Sequence, residues 1–206
     1  IEEVTLRKVI ESLGVPINLV GESFGVYKLP HDIDVALPRR EVKTGEGHTD
    51  FKIEVDPFMS VWDAASRRDF TINAIYSNIL TGKLEDPFEG VADLGVKLLQ
   101  PCTEKFKEDP LRVLRAMQFI ARFDLNPSTQ LVRYSKEIRN QFHTLPKERL
   151  FEEWKKLITK GTKFEKALNF LWKADWAQHF PDLAALAGVP QEQEYHPEGD
   201  VLTHTI

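Results

Sequence analysis

The stretch from Lys107 to Phe123 constrains the fold more than any other part of the chain. Asp109 stands where a helix N-cap belongs, and Pro110 follows at the first helical position, where its missing N–H costs nothing. At about 100° per residue, Val113, Leu114, Met117, Ile120 and Ala121 share one face. Arg112, Arg115 and Arg122 fall on the opposite one. The spacing therefore predicts a helix with one face in a core and three guanidinium groups presented on the other.

The rest of the chain reads around that helix. At 206 residues there is enough chain for one large domain or two small ones. No run of about 18 apolar residues exists, so no membrane span is expected. No secretory signal opens the chain, and one cysteine, Cys102, excludes an internal disulfide framework. Those features suit a reducing cytoplasm. The net charge is −5, which argues against non-specific nucleic-acid binding. The charge is uneven, however: Pro101–Lys160 carries 13 Lys+Arg against 8 Asp+Glu. A basic middle in an acidic chain fits a phosphate-bearing ligand, and equally a solvated helical surface.

In chain order, residues 1–13 carry an amphipathic helical pattern of Val4, Leu6, Val9, Ile10 and Leu13, ended by Gly14. Short β-type runs follow at Ile17–Val20, Phe24–Leu29 and Ile33–Leu37. Pro38–Asp56, with Gly45 and Gly47, reads as a polar mobile loop. Ser60–Ala65 reads as helix, and Thr81-Gly82 as a hairpin turn. Asp86–Gly90 is a turn before a short helix over Val91–Lys97. After Pro101 four helical stretches are expected: Asp109–Phe123, Ser128–Phe142, Pro146–Thr159 and Thr162–Trp172. A polar loop ends in His196-Pro197-Glu198-Gly199-Asp200, and Val201–Ile206 has the pattern of a helix start. Met117, Phe119, Phe123 and the four tryptophans read as core or helix-packing residues. The fold class is α+β to about residue 100, then all-α. The expected division is 1–100, 101–190 and 191–206.

Four clusters can carry chemistry. Asp109 and Arg112, three apart at a helix start, set an acceptor beside a donor. That pair matches the amino group and bare ring nitrogen of cytosine or adenine. Guanine and uracil put a ring N–H where the others have a bare nitrogen, so both meet like with like, and a hydrogen-bonding site rejects such mismatches strongly. The same residues also read as an N-cap beside a surface arginine. Arg67-Arg68-Asp69 offers two guanidinium groups for a triphosphate and a carboxylate for a ribose hydroxyl, or simply a charge cluster at a helix end. Asp32-Ile33-Asp34 sets two carboxylates on alternate strand positions, able to share Mg²⁺, or a turn Asp followed by a strand Asp. His196 and His204 offer metal ligands, or a solvated loop.

Taken together the stretches resemble class II tRNA nucleotidyltransferases, the CCA-adding enzymes and the bacterial poly(A) polymerases related to them. The resemblance runs from about Val20 to the end. It rests on Arg67-Arg68-Asp69-Phe70-Thr71-Ile72-Asn73-Ala74, on Asp86-Pro87-Phe88-Glu89-Gly90 with Asp93-Leu94, and on Phe106–Arg115. Lys147-Glu148-Arg149-Leu150, with Glu152 and Glu153 behind it, is similar to a later Glu-Arg motif. The resemblance implies an Mg²⁺-dependent nucleotidyltransferase that adds CMP and AMP from CTP and ATP to tRNA 3′ ends without a nucleic-acid template. Asp109 and Arg112 resemble the amino-acid template. Arg67, Arg68, Asn73 and Arg115 fall among the nucleotide-binding residues, Asp69 resembles the ribose contact, and Asp34 the third acidic residue beside the metals. Poly(A) polymerase, a non-catalytic RNA- or nucleotide-binding module, and an HD phosphohydrolase are the alternatives.

The family opens with a Gly-Gly…Arg-Asp turn and an Asp-x-Asp metal pair, and neither stands in this sequence. Asp32-Ile33-Asp34 falls after the strand that the metal pair precedes. The expectation is therefore a nucleotide reader without most of its metal site, crippled in catalysis, with its first strands upstream of Ile1. At the other end, Gly188-Val189-Pro190 and His196–Asp200, with His204-Thr205, resemble the opening of an HD phosphohydrolase domain. That resemblance makes His204 a metal ligand.

Overall fold

The computed structural model describes residues 3–14, 18–20, 26–31, 33–43 and 51–205. They fall into two compact units, Ile1–Ala64 and Ala65–Ile206.

In the first unit, helix α1 (Glu3–Ser12) precedes three strands, β1 (Asn18–Val20), β2 (Val26–Leu29) and β3 (Ile33–Ala36). They form an antiparallel meander in the order β1-β2-β3. Of the α1 positions expected to be apolar and inward, Ile10 is buried, while Val4, Val9 and Leu13 are exposed. Asp34 lies on β3 directly across from Lys28 of β2, and both are exposed. Asp32, Gly45 and Gly47 lie outside the described residues.

The expected loop over Pro38–Asp56 is instead largely a hairpin. Strands β4 (Arg39–Lys43) and β5 (Phe51–Val55) pair antiparallel, with Arg40 facing Glu54 in the register. Phe51, Ile53 and Val55 alternate with Lys52 and Glu54, a period-2 pattern that the surrounding charge hid. Asp56 closes the hairpin base: its carboxylate accepts from Arg40 at 2.8 and 3.0 Å, and its amide donates to the Pro38 carbonyl.

Helix α2 (Val61–Ser66) runs across the division between the units. The Ser60 hydroxyl caps its start, accepting from the Asp63 amide at 3.0 Å. In the second unit a short hairpin, β6 (Tyr76–Ser77) with β7 (Leu84–Glu85), turns at Thr81-Gly82, where Gly82 takes φ 70°. Helix α3 (Gly90–Gly95) is started by Asp86, whose carboxylate accepts from the Gly90 and Val91 amides. Strand β8 (Leu98–Leu99) follows.

Helix α4 (Leu111–Phe123) occupies the centre of this unit. Asp109 is extended, and its carboxylate accepts from the Leu111 amide at 3.0 Å, while Pro110 already has helical dihedrals. The predicted cap is therefore present. The predicted apolar face is buried as well, and burial extends beyond it, to Leu111, Ala116 and Gln118 besides Val113, Leu114, Met117, Ile120 and Ala121. Arg112, Arg115 and Arg122 are only half-buried and lie against protein groups instead of projecting into solvent. The reason is that α4 is packed on several sides, against α6 (Lys147–Lys160), α7 (Phe164–Lys173) and β9 (Asn126–Pro127). Strand β9 pairs parallel to β8, a contact with no local signal in the sequence. Helix α5 (Thr129–Glu137), capped by the Ser128 hydroxyl, leads into a 3₁₀ stretch over Arg139–Thr144. Helices α8 (Pro181–Ala184) and α9 (Val201–Thr205) complete the chain.

Phe70, Phe106, Phe170 and Trp176 are the largest wholly buried side chains around α4. The indole N–H of Trp176 donates to the Ser135 carbonyl at 2.8 Å, so its polar edge is satisfied. Two residues expected as core or helix packing lie outside the core: Trp62 and Phe123 are each about half exposed. Among the described residues no helix is long and apolar enough to cross a membrane.

Candidate functional site

The start of α4 gathers most of the nominated residues, drawn from two stretches of the chain, 67–73 and 109–115. A 3₁₀ turn, Thr71–Asn73, follows Asp69 closely. Asp69 is 8% exposed, and both oxygens of its carboxylate accept hydrogen bonds. Oδ1 accepts from the Phe70 amide and the Asn73 side-chain amide, each at 2.9 Å, and Oδ2 accepts from Arg115 Nε at 2.7 Å. Burial works against the Arg115 charge, but Asp69, with Glu153 and Asp109 further off, outweighs it and raises the guanidinium above its ordinary range. Asn73, nominated from sequence for the nucleotide, here orients Asp69.

Arg112 is held by main-chain carbonyls. Nη1 donates to Lys105 O at 2.6 Å and Nη2 to Arg67 O at 2.8 Å. Lys105 itself is placed by Thr103, whose hydroxyl accepts from the Lys105 amide and donates to Ser66 O at 2.7 Å. Arg67 is thus tied to α4 through its backbone. Arg68 is exposed, with its guanidinium 6.0 Å from the Tyr76 ring centroid. Cys102 sits among these charges, and burial, then Asp69, push its thiol up to about 12, leaving it inert at neutral pH.

Asp109 uses both oxygens: Oδ1 caps α4, and Oδ2 pairs with Arg149 Nη2 at 3.3 Å. Arg149 comes from the first turn of α6 and was not nominated for a role from sequence, although it lies in the Glu-Arg motif quoted there. Asp109 and Arg112 retain unused capacity. A carboxylate offers about four lone-pair sites and a guanidinium five N–H donors, of which two are committed in each. The acceptor and donor are therefore pre-oriented by groups outside the pair.

The Asp-Pro-Phe-Glu-Gly motif supports the site from below. Thr71 Oγ1 donates to Asp93 of α3 at 2.6 Å. A Cβ on Gly90 would stand 2.3 Å from the Thr71 carbonyl oxygen, so only glycine permits that approach.

Two nominated metal residues lie elsewhere. Asp34 is in the first unit, and no group of three His, Cys, Asp or Glu ligands includes it among the described residues. Mg²⁺ is commonly held by one or two carboxylates together with waters and phosphate oxygens, and Asp34 is a candidate for one of those carboxylates. His204 belongs to the one such group that the described residues do form, with His196 and Glu198. Its Nδ1 bonds to Glu198 Oε1.

Comparison with known proteins bears on this arrangement. The family described as the Poly A polymerase head domain matches residues 18–100. A multifunctional CCA protein of Xylella fastidiosa is 37% identical over 192 residues, covering 90% of this chain and 46% of its own length. One from Xanthomonas oryzae is 35% identical, with 90% of this chain and 47% of its own covered. Residues 18–100 thus match a Poly A polymerase head domain, and 90% of the chain is similar to multifunctional CCA proteins. The chain spans about half the length of the curated relatives it matches. Among solved structures, an apo form of a CCA-adding enzyme superposes with a TM-score of 0.67 at 25% identity, over 87% of this chain and 44% of that one. A tRNA nucleotidyltransferase complexed with a primer tRNA and an incoming ATP analogue gives 0.62 at 27%, over 92% and 52%. The mixed helix and small-sheet architecture is that of these family members.

Proposed function

We propose that this chain is the nucleotide-selecting part of a tRNA CCA-adding enzyme, which uses CTP and ATP to extend tRNA 3′ ends in the cytoplasm. The observation that carries the reading is the pre-oriented Asp109–Arg112 pair at the head of a buried helix, its acceptor and donor held from outside by Lys105, Arg67 and Arg149. Such a pair accepts the Watson–Crick edge of cytosine or adenine and opposes that of guanine or uracil. Fixing it in advance removes an ordering cost at binding. Arg68 and Arg115, with Arg67, would meet the triphosphate, and Asp69 would hold Arg115 while its remaining capacity faces the ribose. His204 would serve as a metal ligand of an HD-type segment. Residues 1–100 would act as the catalytic head, 101–190 as the base-reading and RNA-binding part, and 191–206 as the start of the third piece. Mg²⁺ would supply charge neutralisation in nucleotidyl transfer, with Asp34 as one oxygen ligand.

The match to the Poly A polymerase head domain favours one second reading, a poly(A) polymerase reusing the same residues. Equilibrium titration with each of the four nucleoside triphosphates separates them. The CCA reading expects CTP and ATP to bind at least ~10-fold more tightly than GTP and UTP, with most of that preference lost in Arg112→Ala, the scale of one or two charge-assisted hydrogen bonds. Binding of ATP but not CTP would favour the polymerase. An Arg112→Ala protein that keeps its preference would remove the base-reading role.

A further inference from the structure

We propose that His196, Glu198 and His204 form a binding site for a first-row transition-metal ion such as Zn²⁺, complete within nine residues. One ligand atom from each residue lies within 4.8 Å of the other two. His196 Nδ1 stands 3.7 Å from Glu198 Oε1, and the same oxygen bonds to His204 Nδ1. The two imidazole rings meet edge to face with centroids 4.6 Å apart. Zn–N and Zn–O bonds of about 2.0–2.2 Å in a tetrahedron put ligand atoms roughly 3.3–3.5 Å from one another. The His196–Glu198 separation is near that value, and the Glu198–His204 hydrogen bond would part as a metal entered between its two atoms.

The frame that brings them together is made of backbone bonds. Gly199 takes φ 73° and donates to the His196 carbonyl, closing a tight turn that aims His196 and Glu198 the same way. Asp200 caps α9, accepting from the Thr203 amide, and its carbonyl accepts from the His204 amide, which fixes His204 in the first turn. Bonds from Gln191 to Gly199 O, Val201 to Val189 O and Leu202 to Leu186 O tie the loop to the segment before it. The ligands are thus held by a scaffold that does not depend on them.

The donor set selects the metal class. Two imidazoles and one carboxylate suit Zn²⁺, Co²⁺, Ni²⁺ or Cu²⁺, whereas Mg²⁺ prefers oxygen and keeps its waters. Three protein ligands leave a fourth position open, and Glu198 and His204 are exposed, so water can reach it. This site goes beyond the reading of His204 as a ligand of a longer HD-type segment, because its three ligands are all local.

Titration of the untagged chain with Zn²⁺ against a chromophoric chelator tests it, with Co²⁺ absorption as a second readout. The expected result is one equivalent bound, a tetrahedral-type Co²⁺ spectrum, and no displacement by millimolar Mg²⁺. His196→Ala, Glu198→Gln and His204→Ala should each weaken Zn²⁺ by at least ~10-fold. Far-ultraviolet circular dichroism of each variant checks that it stays folded. No binding, or equal binding in all three variants, overturns the proposal. Loss in His204→Ala alone also overturns it, and leaves the HD-type reading of His204 standing. Displacement by Mg²⁺ would overturn the metal class.

Discussion

Asp69 and Asp34 are both carboxylates that the sequence nominates for nucleotide chemistry, and they are held in opposite ways. Asp69 is buried and accepts three hydrogen bonds, one of them from Arg115, 46 residues away. Asp34 is exposed on a small meander, with Lys28 across from it as a cross-strand neighbour. A carboxylate in a plausible pattern becomes part of a site only when distant elements deliver its partners. Local strand pairing by itself delivers one lysine.

Stability measurements can break this contrast. Removing Asp69 leaves Arg115, two-thirds buried, without its counter-ion. Asp69→Ala should cost about 3 kcal/mol in urea unfolding, the lower end of the range for buried pairs because Arg115 keeps some solvent. Asp34→Ala should stay within about 0.5 kcal/mol of wild type, as surface substitutions do. Equal losses would show that the burial contrast has no energetic content. Next in size is Gly90→Ala, which pushes a methyl into the Thr71 carbonyl and should cost roughly 1–3 kcal/mol. Nucleotide preference should fall with it, since Thr71 follows Asp69 closely; unchanged stability would mean that α3 simply moves aside.

Smaller effects sharpen the picture. Arg149 is 41% exposed, so its pair with Asp109 is screened and worth about 0.2–1 kcal/mol. Arg149→Ala should relax discrimination against GTP and UTP by only a few-fold, less than Arg112→Ala, and Arg149→Lys should restore part of it. Equal losses for all four nucleotides would make Arg149 a phosphate contact instead. The smallest effect is one of pH. Lys166 and Lys97 both donate to Asp124 and hold its carboxyl down to about 2 from 3.8. A lowered folded-state pKa gives stability that is present above 3.8 and lost as pH falls toward 2. Asp124→Asn, which tolerates the same left-handed backbone, should flatten the acid limb of stability between those values. An acid limb that is unchanged in the variant would show that the pair adds nothing.

Much of α4 was legible because its signals are local: a cap, a proline, and an apolar period. The ordered motifs likewise placed Asp69, Arg112 and Arg115 near one another before any geometry was known. What escaped were partners far along the chain. Arg112 bonds to Arg67 O from 45 residues away, and Arg149 reaches Asp109 from 40. Both are single side chains with no period to reveal them. The β4–β5 hairpin escaped for a different reason. Its charged residues resemble a loop when read one strand at a time, and the partner of Arg40, Asp56, stands 16 residues further on at the hairpin base. The sequence also offered no way to tell that α4 would be covered on both sides, since Gln118 inside it reads as a surface residue but is buried.

One small feature at the far end of α4 governs how the region opens. The Ala121 carbonyl accepts from the Thr162 amide, the Lys163 amide and the Thr162 hydroxyl. Just before them Gly161 lies so close to the Leu157 carbonyl that a Cβ would not fit. A single oxygen therefore fastens the end of α4 to the joint between α6 and α7. Exposing its amides to solvent exchange requires that joint to come apart, so the three helices should exchange deuterium as one cooperative unit, with the Thr162 and Lys163 amides among the slowest.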